Sequence, residues 1–177
     1  GTSRRLKVQQ PGLLVGMLHD GEGRAMTPSH ATRPGKRYRY YVPNRKVRFG
    51  ADASPAGRVP AEPVEQMVLA QIHAALKSPE MVQSVWDVSK EKSPELSEPE
   101  VVLPLRQMAQ VWEQLFPAER LRIVQLLIER VTLRDEGIEI TWRDAGWHTL
   151  AGEMRPGTIG AELLELEQQE NRVGVRA

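Results

Sequence analysis

The residues most suited to chemistry in this sequence are basic: Arg24, Arg33, Lys36, Arg37, Arg39, Arg45, Lys46, Arg48 and Arg58. A guanidinium offers a planar fork of donors that matches a phosphate, and an ammonium is a compact point charge, so such a cluster is suited to a polyanion. The whole-chain balance hides it, because 24 Lys and Arg stand against 23 Asp and Glu in 177 residues. Divided after Arg58, residues 1–58 hold 12 basic and 3 acidic side chains, while the remainder holds 12 and 20. Opposite local charges of +9 and −8 point to two physical roles, one of them directed at a polyanion such as nucleic acid.

Other chemistries are poorly supplied. The chain has no cysteine, which excludes thiolate nucleophiles, disulfides and thiolate-bound zinc. Ser29, His30 and Asp20 suggest a hydrolytic triad, yet neighbours on a strand point to opposite faces and do not readily share a proton. His73 lies beside the apolar stripe of a predicted helix, and His148 has no second ligand at metal-binding spacing. Neither a phosphate-cradling glycine loop nor a dinucleotide fingerprint occurs. The expectation is therefore no catalytic residue, no metal and no cofactor. No apolar run reaches membrane-spanning length, and residues 1–10 are basic and polar, so a cytoplasmic location is expected. The opening Gly1-Thr2-Ser3, without an initiating methionine, reads as a piece of a longer protein.

The elements that must carry the basic residues are strands and turns. Leu13 to Leu18 is a short apolar run closed by Asp20-Gly21-Glu22-Gly23, and Arg33-Pro34-Gly35 marks a second turn. The stretch Lys36-Arg37-Tyr38-Arg39-Tyr40-Tyr41-Val42 suits a strand. Period-two alternation then predicts Arg37, Arg39 and Tyr41 on a phosphate-facing side, with Lys36, Tyr38, Tyr40 and Val42 on a packing side. Residues 44–57 read as a loop.

Helical periodicity follows. Val64, Met67, Val68, Ile72, Ala75 and Leu76 line one stripe over residues 61–77, and Met81, Val82, Val85 and Trp86 mark a short second helix before a connector at residues 89–97. Ser97-Glu98-Pro99-Glu100 is a capping-box signature. Beyond it Val101, Leu105, Met108, Trp112 and Leu115 form a 4-3-4-3 seam that Pro104 is expected to kink or delay. Phe116-Pro117-Ala118-Glu119 restarts a helix with Leu121, Val124, Leu127, Ile128 and Val131 inward, and the short link predicts an antiparallel helical hairpin. Residues 131–142 read as a β-hairpin turning at Asp135-Glu136-Gly137. After it the signal weakens, with one more helix possible at residues 161–169 and frayed residues from Asn171.

In their order, Leu13-Leu14-Val15-Gly16-Met17-Leu18, Gly23-Arg24-Ala25-Met26-Thr27-Pro28-Ser29-His30, Arg37 to Val42, Arg58-Val59-Pro60-Ala61, Val111 to Arg120 and Arg122 to Leu127 make the chain resemble one region of a known family. That region is the C-terminal part of the large serine recombinases, site-specific DNA recombinases of the resolvase and invertase superfamily. The resemblance implies a zinc-ribbon DNA-binding domain with a helical, coiled-coil-like insertion, double-stranded DNA and other recombinase protomers as partners, and a catalytic serine upstream, so that no serine here inherits that role. His19 and Glu22 stand where the family's first Cys-x-x-Cys knuckle falls, and the second cysteine pair, expected between Val42 and Arg58, is missing. A metal-free ribbon held by Met17, Leu18, Met26, Tyr38 and Tyr40 is expected instead.

The resulting expectation is an α+β fold: a small, cysteine-free β-ribbon sheet with an inserted helical hairpin. Residues 1–58 with 131–145 form the basic DNA-binding subdomain, 59–130 the helical subdomain and 146–177 a tail with a short helix. The expected function is DNA-binding, as the non-catalytic C-terminal part of a site-specific serine recombinase. The alternative is an assembly module whose seam at Val101, Leu105, Met108, Trp112 and Leu115 pairs with another protomer.

Overall fold

A computed structural model describes residues 12–44 and 57–154, with Leu166, Gln169, Glu170 and Arg172. Its strands are β1 (Leu18–His19), β2 (Met26–Arg33), β3 (Lys36–Pro43), β4 (Val59–Pro60), β5 (Ile128–Arg134) and β6 (Gly137–Trp142). Its helices are α1 (Ala61–Lys77), α2 (Pro79–Lys92), α3 (Glu98–Val111), α4 (Pro117–Leu127) and α5 (Asp144–Glu153), with a 3₁₀ turn at Trp112–Gln114. The fold is α+β. Leu166, Gln169, Glu170 and Arg172 are helical, while the rest of the C-terminal helix expected at residues 161–169 lies outside the described residues. No helix among the described residues is long and apolar enough to cross a membrane.

Two three-stranded sheets form, ordered β1-β5-β6 and β2-β3-β4. In the second, β2 and β3 make an eight-pair antiparallel ribbon from Met26↔Pro43 to Arg33↔Lys36. Its turn is Pro34-Gly35: proline presets φ, and Gly35 takes φ 77°, which an L side chain rarely adopts. In the first sheet β1 runs parallel to β5, with Leu18 opposite Val131, and so ties the start of the described chain to the late hairpin.

The helices share one core with the sheets. Ile72 and Leu76 of α1, Leu105 of α3, Leu127 of α4 and Trp147 and Leu150 of α5 are all buried in it. The capping box forms as read, the Glu100 carboxylate accepting the Ser97 N–H at 2.8 Å and its hydroxyl at 3.1 Å.

Several expectations fail for physical reasons. Residues 89–92, read as connector, are the last turn of α2, because buried Ser89 is satisfied by His148 Nδ1 of α5 at 2.8 Å. Of the kink or delay expected from Pro104, the delay does not occur: α3 starts at Glu98 and runs on through Pro104, a buried residue of the helix interior. α3 and α4 do not lie against each other; α3 packs on α1, α2 and α5, whereas α4 packs on α5. The extended backbone at Leu115 and Phe116 redirects the chain, and Arg120 pins the bend by donating to the Trp112 and Glu113 carbonyls, each at 3.2 Å. Ile128 and Val131 are buried from β5, and Leu121 is only half-buried. α5 carries no periodic signal, yet it buries Trp147, and Gly146 passes so close to the Leu126 carbonyl that an added Cβ would lie 1.9 Å from it.

Candidate nucleic-acid interface

The β2-β3 ribbon gathers most of the basic residues the structure describes. Directly opposed residues of an antiparallel pair share a face. One face therefore carries Arg37, Arg39 and Tyr41 with Thr32, His30 and Pro28, and the other carries Lys36, Tyr38 and Tyr40 with Arg33, Ala31 and Ser29.

The faces are not used as the alternation predicts. Tyr41 is fully buried, so the Arg37 face is the one that turns toward the helices at its base. There Glu65 of α1, a buried carboxylate, gathers three donors: Arg39 Nη2 at 2.8 Å, the Tyr41 hydroxyl at 2.8 Å and the Leu13 N–H at 3.0 Å. The Tyr41 oxygen in turn accepts the Leu14 N–H at 3.1 Å. Burial, and then the Glu65 carboxylate, push the Tyr41 phenol far above its ordinary range, so it stays a neutral donor. Arg39, expected as a phosphate ligand, is thus tied to the body by an ion pair with the buried Glu65 carboxylate, with its own side chain 48% exposed. Tyr38 and Tyr40, expected to pack, are exposed and half-exposed. The expected packing of Met17, Leu18 and Met26 does form.

The other cations divide by setting. Arg33 and Lys36 face each other across the hairpin tip, exposed, and neither enters an ion pair among the described residues. Lys36 Nζ lies 5.2 Å from the Tyr38 ring centre, and the Arg58 guanidinium 4.0 Å from that of Tyr40. Arg37 is exposed on the Glu65-facing side and has interactions of its own. Between that side, α1 and the start of α4 runs an open groove of about 750 Å³ lined by His30, Arg37, Leu69 and Leu121. Arg45, Lys46 and Arg48 lie outside the described residues.

Arg24 is committed to the turn that a zinc knuckle would occupy. Asp20 Oδ1 accepts the Glu22 and Arg24 N–H groups at 3.0 and 2.9 Å, and Oδ2 accepts Arg24 Nε at 2.7 Å. Partial burial works against the Asp20 charge, but the Arg24 amide and guanidinium and the Glu22 amide outweigh it and hold the carboxyl below its ordinary pKa. These residues do not fit a structural zinc. The chain has no cysteine, no group of three His, Asp or Glu side chains converges among the described residues, and His19 Nδ1 is already 3.0 Å from the Met17 carbonyl. Asp20 closes this turn with hydrogen bonds to the Glu22 and Arg24 amides and to the Arg24 guanidinium.

The seam residues Val101, Leu105, Met108, Trp112 and Leu115 are buried in this chain's own core, which corrects their assignment to an assembly surface. His73 lies at this core edge, its Nε2–H donating to the Ala109 carbonyl at 3.0 Å and its ring stacked on Trp112 at 6.0 Å. Sequence reasoning missed Glu65. The signal was there: Glu65 sits within the stripe Val64, Val68, Leu69 and Ile72, and a carboxylate on a buried stripe requires a partner.

Residues 13–73 match the family model described as recombinase zinc beta ribbon domain. No curated protein matches. Among solved structures, one described as "Crystal Structure of a LSR-DNA Complex" is similar at 13% identity and a TM-score of 0.44, over 77% of this chain. This chain spans 57% of the length of that one. Residues 13–73, about a third of the chain, are thus similar to the recombinase zinc beta ribbon domain.

Proposed function

We propose that the chain is a non-catalytic, DNA-binding part of a site-specific serine recombinase, which grips the duplex at the recombination site while other protomers of the same protein act with it. The observation that carries this reading is the hairpin tip, where Arg33 and Lys36 stand together, exposed and without a carboxylate partner among the described residues. Neither β2 nor β3 contains an acidic residue. A two-stranded ribbon fits a major groove roughly 12 Å wide, and eight residues per strand, at about 3.3 Å each, give it the reach to enter. Arg58 and Lys36 add cations along the aromatic side of the ribbon. Bond-breaking chemistry is assigned to the parent protein's catalytic domain; among the described residues Ser78 and Ser97 serve helix caps, and Ser89, His148 and His73 serve contacts within the body.

The test is duplex binding at a series of salt concentrations. Each neutralised phosphate contributes about 0.9 to the slope of log affinity against log salt, so replacing Arg33 and Lys36 together by alanine should weaken binding and flatten that slope by nearly two. An unchanged slope would remove the tip from the interface.

A further inference from the structure

We propose that the ribbon face carrying Tyr38 and Tyr40 is a stacking platform for the unpaired bases of single-stranded DNA, distinct from the duplex contact at the hairpin tip. The two rings lie on one face of β3, two residues and so about 7 Å apart along the strand, which leaves each ring to meet a base of its own. On β2 Ala31 lies opposite Tyr38 and Ser29 opposite Tyr40, both too small to cover a ring; on the other side Tyr40 pairs with Pro60 of β4, so Tyr38 is the more open of the two. Tyr38 is 37% exposed. Each ring also has a cation over it: Lys36 at 5.2 Å from the Tyr38 centre and Arg58 at 4.0 Å from the Tyr40 centre.

Those cations make the face more than exposed aromatic surface. The guanidinium over Tyr40 is itself a flat plate on which a base can stack, and the Lys36 ammonium pairs with the phosphate that joins two stacked nucleotides. No carboxylate on β2 or β3 opposes a nucleic-acid backbone. Duplex DNA keeps its base faces inside the stack, so these rings have a base to meet only when the strand is unpaired. The inference does not depend on duplex binding: Lys36 serves both sites, and the test replaces a ring while leaving both tip cations in place.

The experiment is a fluorescence anisotropy titration of the whole chain with labelled oligothymidylate, oligouridylate and a duplex. The chain should bind oligothymidylate; Tyr38→Ala should weaken that binding about tenfold, and Tyr38→Phe, which keeps the ring, should restore it. Neither substitution should move duplex affinity or the melting temperature. Absent oligothymidylate binding, an unchanged affinity in Tyr38→Ala, or an equal loss on the duplex would overturn the proposal. Tighter binding of oligouridylate would overturn it too, by assigning the face to RNA. Failure of duplex binding alone would count against the function proposed above and leave the platform standing.

Discussion

From Ser29 to Tyr40 the ribbon has no buried residue on either face, whereas the helical body covers Ile72, Leu105, Trp147 and Leu150 almost completely. A two-stranded hairpin is at best marginally stable alone, so this one persists because its base is held: Met26, Tyr41 and Pro43 are buried, and Glu65 clamps Arg39 from α1. Within the body an apolar side chain is fixed by its neighbours; toward the hairpin tip Arg33, Lys36 and Tyr38 are exposed.

The largest effect should come from the body. Leu105 is fully buried, so Leu105→Ala should cost about 3 kcal/mol in a denaturant melt while leaving duplex affinity of the folded protein unchanged. A loss under about 1 kcal/mol would show that the two regions do not differ in packing as described. The clamp sits between the regions. Glu65→Ala leaves the Tyr41 hydroxyl and the Leu13 N–H without an acceptor and should cost about 2 kcal/mol, discounted from a fully buried pair because Arg39 is 48% exposed. Hydrogen exchange should quicken at Leu13, Leu14 and the base of β3; exchange spread evenly over the helices would mean that Glu65 does not serve the ribbon in particular.

The smallest effect belongs to the Asp20 turn. Its pKa is lowered in the fold, so its stabilisation is present above the ordinary carboxylate value and is lost as the pH falls through the folded value. Asp20→Asn should therefore melt slightly below the wild type at neutral pH, and the two curves should converge in acid. A gap that persists at low pH would mean that the turn is not held by the carboxylate charge.

Much of this was legible in the sequence. The bounds of α1, the Ser97 cap and the hairpin around Asp135-Glu136 follow from local signals, namely period, capping residues and turn chemistry. What was not legible depended on partners far along the chain. The last turn of α2 depends on His148, 59 residues from Ser89, and the side of β3 that packs depends on Glu65, 26 residues from Arg39. Alternation divides Arg39 from Tyr40 but does not say which of them faces the body. The rings at Tyr38 and Tyr40 read as core by type, and they lie outside it because the ribbon extends past the helices that would have covered them.

The most direct measurement is the salt dependence of duplex binding by the wild-type chain beside the chain with Arg33 and Lys36 replaced by alanine. The account predicts a steep wild-type slope and a variant slope shallower by nearly two, with identical melting curves. Equal slopes for the two proteins, or a wild-type affinity indifferent to salt, would contradict it.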